Sequence, residues 1–310
     1  MSVLQERWLH PSQTSHQAMR EAGGLWVAMG RPDPDELVAE ARQRGVRALE
    51  VQQNDLAVLA ELPELEFLYV ASDPTDVSPL SRLPNLRLLA FTGTWDDELD
   101  FSAFPHLEWF DAVECPRGGG GLSSLFVGHE RLHTLGIGRY PWPDLAPLGA
   151  LRLRRLAIWR SRKLSALDGA DALAGSLRDL SLSSSPNLTN LAGLGLLPDL
   201  DVLSLESLRH VTTLEWVGAL PRLRYLDAMD LKGVESLAPL TSHPALECVM
   251  FGRTADLDLS PLETLPRLRL INTGTYRWNR DLHAFPYLHD LGSDHPIVHE
   301  YQGLAVGSVS

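Results

Sequence analysis

One short phrase keeps returning along this chain. From Leu62 it reads Leu-Pro-Glu-Leu-Glu-Phe-Leu-Tyr-Val, from Leu83 Leu-Pro-Asn-Leu-Arg-Leu-Leu-Ala-Phe, and from Phe104 Phe-Pro-His-Leu-Glu-Trp-Phe-Asp-Ala. It comes back at Leu197, Leu220, His243, Leu265 and Phe285, with degenerate copies around Leu132, Leu153 and Leu177. The first leucine of each L-x-x-L-x-L stretch falls at 65, 86, 107, 132, 153, 177, 200, 223, 246, 268 and 288, in steps of 20 to 25 residues. A period of that size means a stacked array, in which each unit is too small to bury its own leucines and buries them against its neighbours.

The spacing inside the phrase has a physical cause. The last two leucines alternate with variable residues, the period of a strand with one buried face. The first leucine, three positions earlier, leads the chain in from the preceding turn. Return segments such as Thr75–Leu80, Glu235–Leu240 and Asp258–Leu262 carry proline, which fixes φ and cannot donate to a ladder, so they suit turns or short 3₁₀ pieces.

With the phrase Asp-Val-Ser-Pro-Leu followed by Leu-Pro-Asn-Leu-Arg (Asp76 to Phe91), the chain resembles the leucine-rich-repeat family over roughly residues 46 to 291. The similarity is to the class with repeats of about 22 residues, as in bacterial internalins and a eukaryotic phosphatase-regulatory subunit. The resemblance implies an α/β solenoid, with a curved parallel sheet on the concave face and turns and 3₁₀ segments on the convex face. The asparagine that commonly follows the strand in that family is absent from most units, where Ser, Thr, Gly or acidic residues stand.

The expected organisation is an N-terminal α/β cap over 1–51 continuous with the solenoid, repeats over 52–291, and a closing segment with a loose tail over 292–310. Within the cap, Asp33 is a candidate N-cap, Pro34 opens a helix through Arg44 and Gly45 ends it. Leu25–Met29 reads as a further strand, and Ser12–Ala22 as a helix stopped by Gly23-Gly24. The run Arg117–Gly121 reads as a flexible convex loop, because no Lys-Ser/Thr follows to make a phosphate cradle.

Composition narrows the function. A net charge of -13 over 310 residues argues against a phosphate-tracking surface, so neither nucleic acid nor anionic membrane is an expected partner. Two cysteines, Cys115 and Cys248, make no disulfide framework and no four-thiolate zinc site. The N-terminal segment lacks the apolar core of a signal peptide, and no stretch reaches the length of a membrane span, so a cytoplasmic setting is expected.

The pairs His129/His133 and His295/His299 are poorly spaced for a metal site, and no cofactor is expected. Cys248, at an outward strand position, is accessible on this reading but has no histidine in its strand. No G-x-S-x-G elbow occurs, and the chain is not expected to be an enzyme.

Outward strand positions have no packing duty, so function is expected there. Trp109, Arg139, Arg155, Trp159 and Arg160 fall on three consecutive units, and Trp and Arg dominate binding hot spots. Gly136 and Ala157 beside them would leave a depression. Tyr225, Asp227 and Asp230, with Glu206, make an acidic stretch further on. The reading is a non-catalytic cytoplasmic protein-binding module, a scaffold or an inhibitor, of unassigned oligomeric state and with an unidentified protein partner. The alternatives are an enzyme with a site on the concave face, which needs a deep pocket of convergent polar groups, and a self-assembling structural protein.

Overall fold

In the computed structural model, residues 33–95, 99–114, 121–229, 231 and 233–272 are described, together with the backbone of 4–6 and 26–28. The chain divides into two compact units, one of residues 1–141 with 150–152 and the other of 142–149 with 153–310.

The first unit contains β1 (Leu4–Glu6), β2 (Trp26–Ala28), α1 (Pro34–Arg44), β3 (Ala48–Val51), β4 (Phe67–Val70), β5 (Leu88–Phe91), β6 (Trp109–Ala112) and β7 (Thr134–Gly138). β1 lies antiparallel to β2, and from β2 onward every strand pairs in parallel with the next. The second unit contains β8 (Arg155–Trp159), β9 (Asp179–Ser183), β10 (Val202–Glu206), β11 (Tyr225–Ala228), β12 (Cys248–Phe251) and β13 (Leu270–Asn272), again parallel in chain order. One strand per repeat, with a 3₁₀ return, is the leucine-rich-repeat solenoid fold.

The repeat geometry explains itself residue by residue. Each strand from β4 to β13 starts two positions after its anchor leucine, and Leu65, Leu86, Leu107, Leu132, Leu153, Leu200, Leu223 and Leu246 are fully buried. The step between strands is held by paired backbone bonds: Glu66 and Phe67 N–H donate to the Arg47 carbonyl, Arg87 and Leu88 to Glu66, and Glu108 and Trp109 to Arg87.

Return segments at Ala57–Glu61, Ser78–Arg82, Ala146–Leu148, Ala192–Leu196, Ala238–Leu240 and Ser260–Thr264 are 3₁₀. A side-chain oxygen two residues before accepts from a backbone N–H in the first turn of each, as in Asp76 to Ser78 N at 2.8 Å, Asp144 to Ala146 N at 3.0 Å and Asn190 to Ala192 N at 2.9 Å. The recurrent Asp-x-Ser-Pro-Leu phrase is therefore a turn cap followed by a proline that needs no donor and a leucine for the core.

The N-terminal helix forms as its sequence dictates. Asp33 Oδ1 accepts from the N–H groups of Asp35 and Glu36, Pro34 takes the first helical position, and Gly45 closes the end at φ 60°. The strand expected at Leu25–Met29 is β2, three residues long. The expected helix over 12–22, the closing segment and tail over 292–310, and most of the glycine run lie outside the described residues. The cap–repeat–tail division remains a sequence expectation.

The two units fill their interiors differently. Behind β5 and β6, Phe91 stacks on Trp95 with ring centroids 4.5 Å apart, and Phe101 meets Phe110 edge to face at 4.9 Å. In the second unit the inward lanes are aliphatic, with Leu156, Leu180, Leu203, Leu226 and Val249 in register.

Four strands of five residues are each followed by a non-glycine residue in the left-handed region: Arg139, Arg160, Ser184 and Ser207, with φ between 49° and 55°. Two residues singled out by sequence, Arg139 and Arg160, thus have a backbone duty at the turn that leaves the strand.

The open face of the sheet

Alternate strand residues point away from the leucines and form lanes across each unit. In the first unit one lane is Ala48, Phe67, Leu88, Trp109 and Thr134, and the next is Glu50, Tyr69, Ala90, Asp111 and Gly136. Neighbours along a lane are about 4.8 Å apart, so large side chains touch. Ala48, Phe67, Tyr69, Leu88 and Ala90 form a packed apolar cluster of their own, and half-buried Trp109 lies against it. The Arg87 guanidinium sits 5.5 Å from the centre of the Phe67 ring.

Trp109 and Arg139 both belong to this unit. Trp109 is part of the packed lane; Arg139 is exposed beyond the end of β7 and pairs with Glu114 at 2.8 Å. In the second of these lanes stands Asp111, between Ala90 and Gly136. Its Oδ1 is enclosed and has no hydrogen-bond partner. Burial raises its carboxyl to about 7.

In the second unit the first lane is Arg155, Asp179, Val202, Tyr225, Cys248 and Leu270, and the second is Ala157, Ser181, Ser204, Asp227, Met250 and Asn272. Trp159 continues β8 to a third lane beside Ser183. Arg155 and Trp159 are half-buried and Arg160 is exposed. Arg155 Nε lies 3.8 Å from Asp179 Oδ2, a loose ion pair around a carboxyl that burial raises to about 7 and Arg155 pulls back. Asp227 accepts from Met229 N–H at 3.0 Å and from Ser204 Oγ at 3.4 Å, and its carboxyl stands at about 6, raised chiefly by burial.

Two expectations need correcting. Tyr225 occupies the outward position foreseen for it but is only 3% exposed, packed with Val202, Cys248 and Leu270, and its hydroxyl points to Met250 Sδ at 3.6 Å. It belongs to the platform, not to the accessible surface. Cys248 is likewise closed off rather than accessible, at 1% exposure. Burial first, then Asp227 and Glu247, push its thiol well above the ordinary range, the opposite of an activated nucleophile. In both cases a bulky residue on a lane is covered by its neighbours. Asp230 lies outside the described residues.

Two of the described histidines, His129 and His243, are buried in the interior. His243 Nε2 faces the Leu220 carbonyl at 3.0 Å and its Nδ1 accepts from Ala245 and Leu246 N–H, so the ring is neutral and stands in for a leucine-proline corner. His129 is buried edge-on against Phe101. Among the described residues no group of three or more His, Cys, Asp or Glu is placed to hold a metal, and no helix is long and apolar enough to cross a membrane.

Sequence reasoning missed a charged lane immediately before the strands. In the first unit, Arg47 Nη1 meets Glu66 at 2.6 Å, and Arg87 bridges Glu66 (3.5 Å) and Glu108 (2.9 Å). In the second, Arg224 makes a two-pronged pair with Glu247 at 2.9 and 3.0 Å and lies 3.8 Å from Asp201. The signal was present in the residue that follows each anchor leucine: Glu66, Arg87, Glu108, then Asp201, Arg224, Glu247, Arg269. Opposite charges at one repeat step are neighbours across the sheet and favour this register.

No family model matches the chain, and no curated protein matches it in sequence. Among solved structures, it is similar to an internalin (InlF) from Listeria monocytogenes, at 14% identity over 96% of this chain and 93% of that one, with a TM-score of 0.49. Internalin C2 from the same organism is 20% identical over 69% of this chain and 83% of its own, with a TM-score of 0.46. TLR13, in its complex with ssRNA13, is 16% identical over 86% of this chain and 49% of its own, also at 0.46. At these identities and scores no ligand or activity is carried from them to this chain; the repeat geometry stands on this chain's own strands, returns and anchor leucines.

Proposed function

We propose that this chain is a non-catalytic protein-binding module that meets its partner on the open face of the sheet. The observation that carries the reading is the make-up of that face. Trp109 in the first unit and Trp159 in the second are half-buried at outward strand positions, with Asp111 two residues from Trp109 on β6 and Arg155 at the other end of β8 from Trp159. Tryptophan and arginine give large contact area together with directed hydrogen bonds, the combination that dominates binding energy at interfaces. A cytoplasmic scaffold or inhibitor is the version we favour, supported by the scarcity of cysteine and the buried free thiol of Cys248.

The test compares the wild type with a Trp109→Ala/Arg155→Ala/Trp159→Ala variant, its fold checked by circular dichroism, in affinity capture from native lysate. A protein captured by the wild type and lost by the folded variant supports the reading. Equal capture by both moves the contact off these residues, and hydrolytic or transferase activity in the purified chain would overturn the non-catalytic part.

A further inference from the structure

Asp111 is placed as few carboxylates are. It projects from the middle of β6 with small residues on either side along its lane, Ala90 of β5 and Gly136 of β7. Trp109 lies two residues before it on the same strand, and Tyr69 lies two strands away in its own lane. The result is a cup with a floor of small residues, aromatic walls and one carboxylate. Asp111 as a residue is half-buried and so reaches the open face, while its Oδ1 is enclosed and accepts no hydrogen bond. A buried acceptor left without a donor costs free energy. Glu50 and Asp179 also carry such an oxygen, but Gln52 donates to the other oxygen of Glu50 and Arg155 lies 3.8 Å from Asp179.

We propose that this cup receives a basic side chain, arginine best suited, from the protein partner. The inference rests on the open-face binding reading and names what the partner must present. A guanidinium has donors in a flat fork that match a carboxylate, and its face can stack on an indole. With the carboxyl turning about χ2 to meet the guanidinium, insertion supplies the donor that Oδ1 lacks in its enclosed position, and the aromatic walls exclude water from the pair. The chain's acidity favours such a partner at long range.

The charges around Asp111 agree. On the face itself, β3 brings Glu50 and β4 brings Tyr69, while the lane residues of β5 and β7 (Leu88, Ala90, Thr134, Gly136) are uncharged. Beyond the strand ends, Arg139 is engaged with Glu114. Burial alone sets the Asp111 carboxyl at about 7, with no cation among the described residues lowering it. An entering cation should therefore expel a proton near neutrality.

The experiment uses the full chain with aspartate carboxyl carbons labelled for NMR, the Asp111 signal being assigned by its loss in Asp111→Asn. The probe is N-acetyl-arginine methylamide at millimolar concentration, with the citrulline analogue as its neutral, near-isosteric control. The expected result is a titration midpoint for Asp111 that falls with the arginine probe and stays put with citrulline, and a Trp109 indole signal that moves with the same saturation. In Asp111→Asn the indole response vanishes; in Glu215→Gln, an exposed acid on a return segment, it is unchanged. Identical responses to both probes, no response to either, or an indole shift that survives Asp111→Asn overturns the proposal. Should a captured partner be lost by the Trp109/Arg155/Trp159 variant yet retained by Asp111→Asn, open-face binding stands and the cation cup does not.

Discussion

The two units build the same repeat and differ in the charge they set beside a buried acid. In the second unit Asp179 has the Arg155 cation in the adjoining lane position, at 3.8 Å and so without a hydrogen bond to Oδ2, and Asp227 receives a serine hydroxyl and a backbone N–H. In the first, Asp111 sits among alanine, glycine and aromatics, with no cation among the described residues lowering its carboxyl. Strand geometry is identical in kind, so the difference lies in which residue the neighbouring repeat supplies. A group neutralised from within belongs to stability; one that is not remains available to something from outside. The interiors diverge in parallel, aromatic behind β5 and β6 and aliphatic behind β9 to β11.

The interior contrast yields the largest expected effect. Phe110→Ala removes a ring packed edge-on against Phe101 and Phe91 and should cost about 3–5 kcal/mol, against about 2–5 kcal/mol for Leu203→Ala in the second unit. Urea denaturation measures both. A Leu203→Ala cost well above that of Phe110→Ala would leave the aromatic cluster without special energetic weight.

The acids come next, and the sign matters. Because Asp111's folded value, about 7, lies above its ordinary value of 3.8, its carboxyl supports folding below about pH 4, and that support is lost as pH rises through 7. Asp111→Asn should therefore stabilise the chain by about 1–3 kcal/mol at about pH 8 and by almost nothing at about pH 4. Asp179→Asn relieves a similar burial but strands Arg155, so its gain at high pH should be smaller or reversed. Equal gains from the two substitutions would erase the contrast between open and closed acids.

Much of this was written in the leucines. The period placed every described strand from β4 to β13, because a leucine that must be buried against the next repeat can occur only at one phase of the turn. Asp33, Pro34 and Gly45 fixed the helix through local chemistry alone. What depended on neighbours across the sheet was harder to read. Tyr225 and Cys248 looked outward by their position in the strand, yet Val202 and Leu270 at the same phase cover them. The pairing of β1 with β2 is antiparallel and lies outside the repeat, so no period announced it. Asp111 was visible as a letter, but that no described residue gives it a counterion emerges only when the lanes of β4 to β7 are aligned.

The charged lane tests whether the units share their surface device as they share their leucines. Arg87→Met and Arg224→Met should each cost roughly 0.5–1 kcal/mol at low salt, and less as added salt screens the pairs. Both arginines are bidentate to a glutamate of the next repeat, so similar losses are expected. A loss confined to one unit would make the ladder local decoration.

The smallest effect concerns the left-handed residues that follow β7 and β8. A non-glycine L-residue there costs about 1–2 kcal/mol, and asparagine, whose side chain bonds locally, recovers part of it. Arg160→Asn in the second unit should thus gain a few tenths of a kcal/mol, on the order of 0.5. Arg139→Asn gains the same backbone relief but forfeits the pair with Glu114, worth roughly 0.2–1 kcal/mol, so its net change should lie near zero. Thermal unfolding at low and high salt separates the two contributions, since only the ion pair is screened. If partner capture falls with Arg160→Asn while stability rises, the arginine is kept for contact at the expense of its backbone; if capture is untouched, Arg160 is a turn residue and leaves the binding surface.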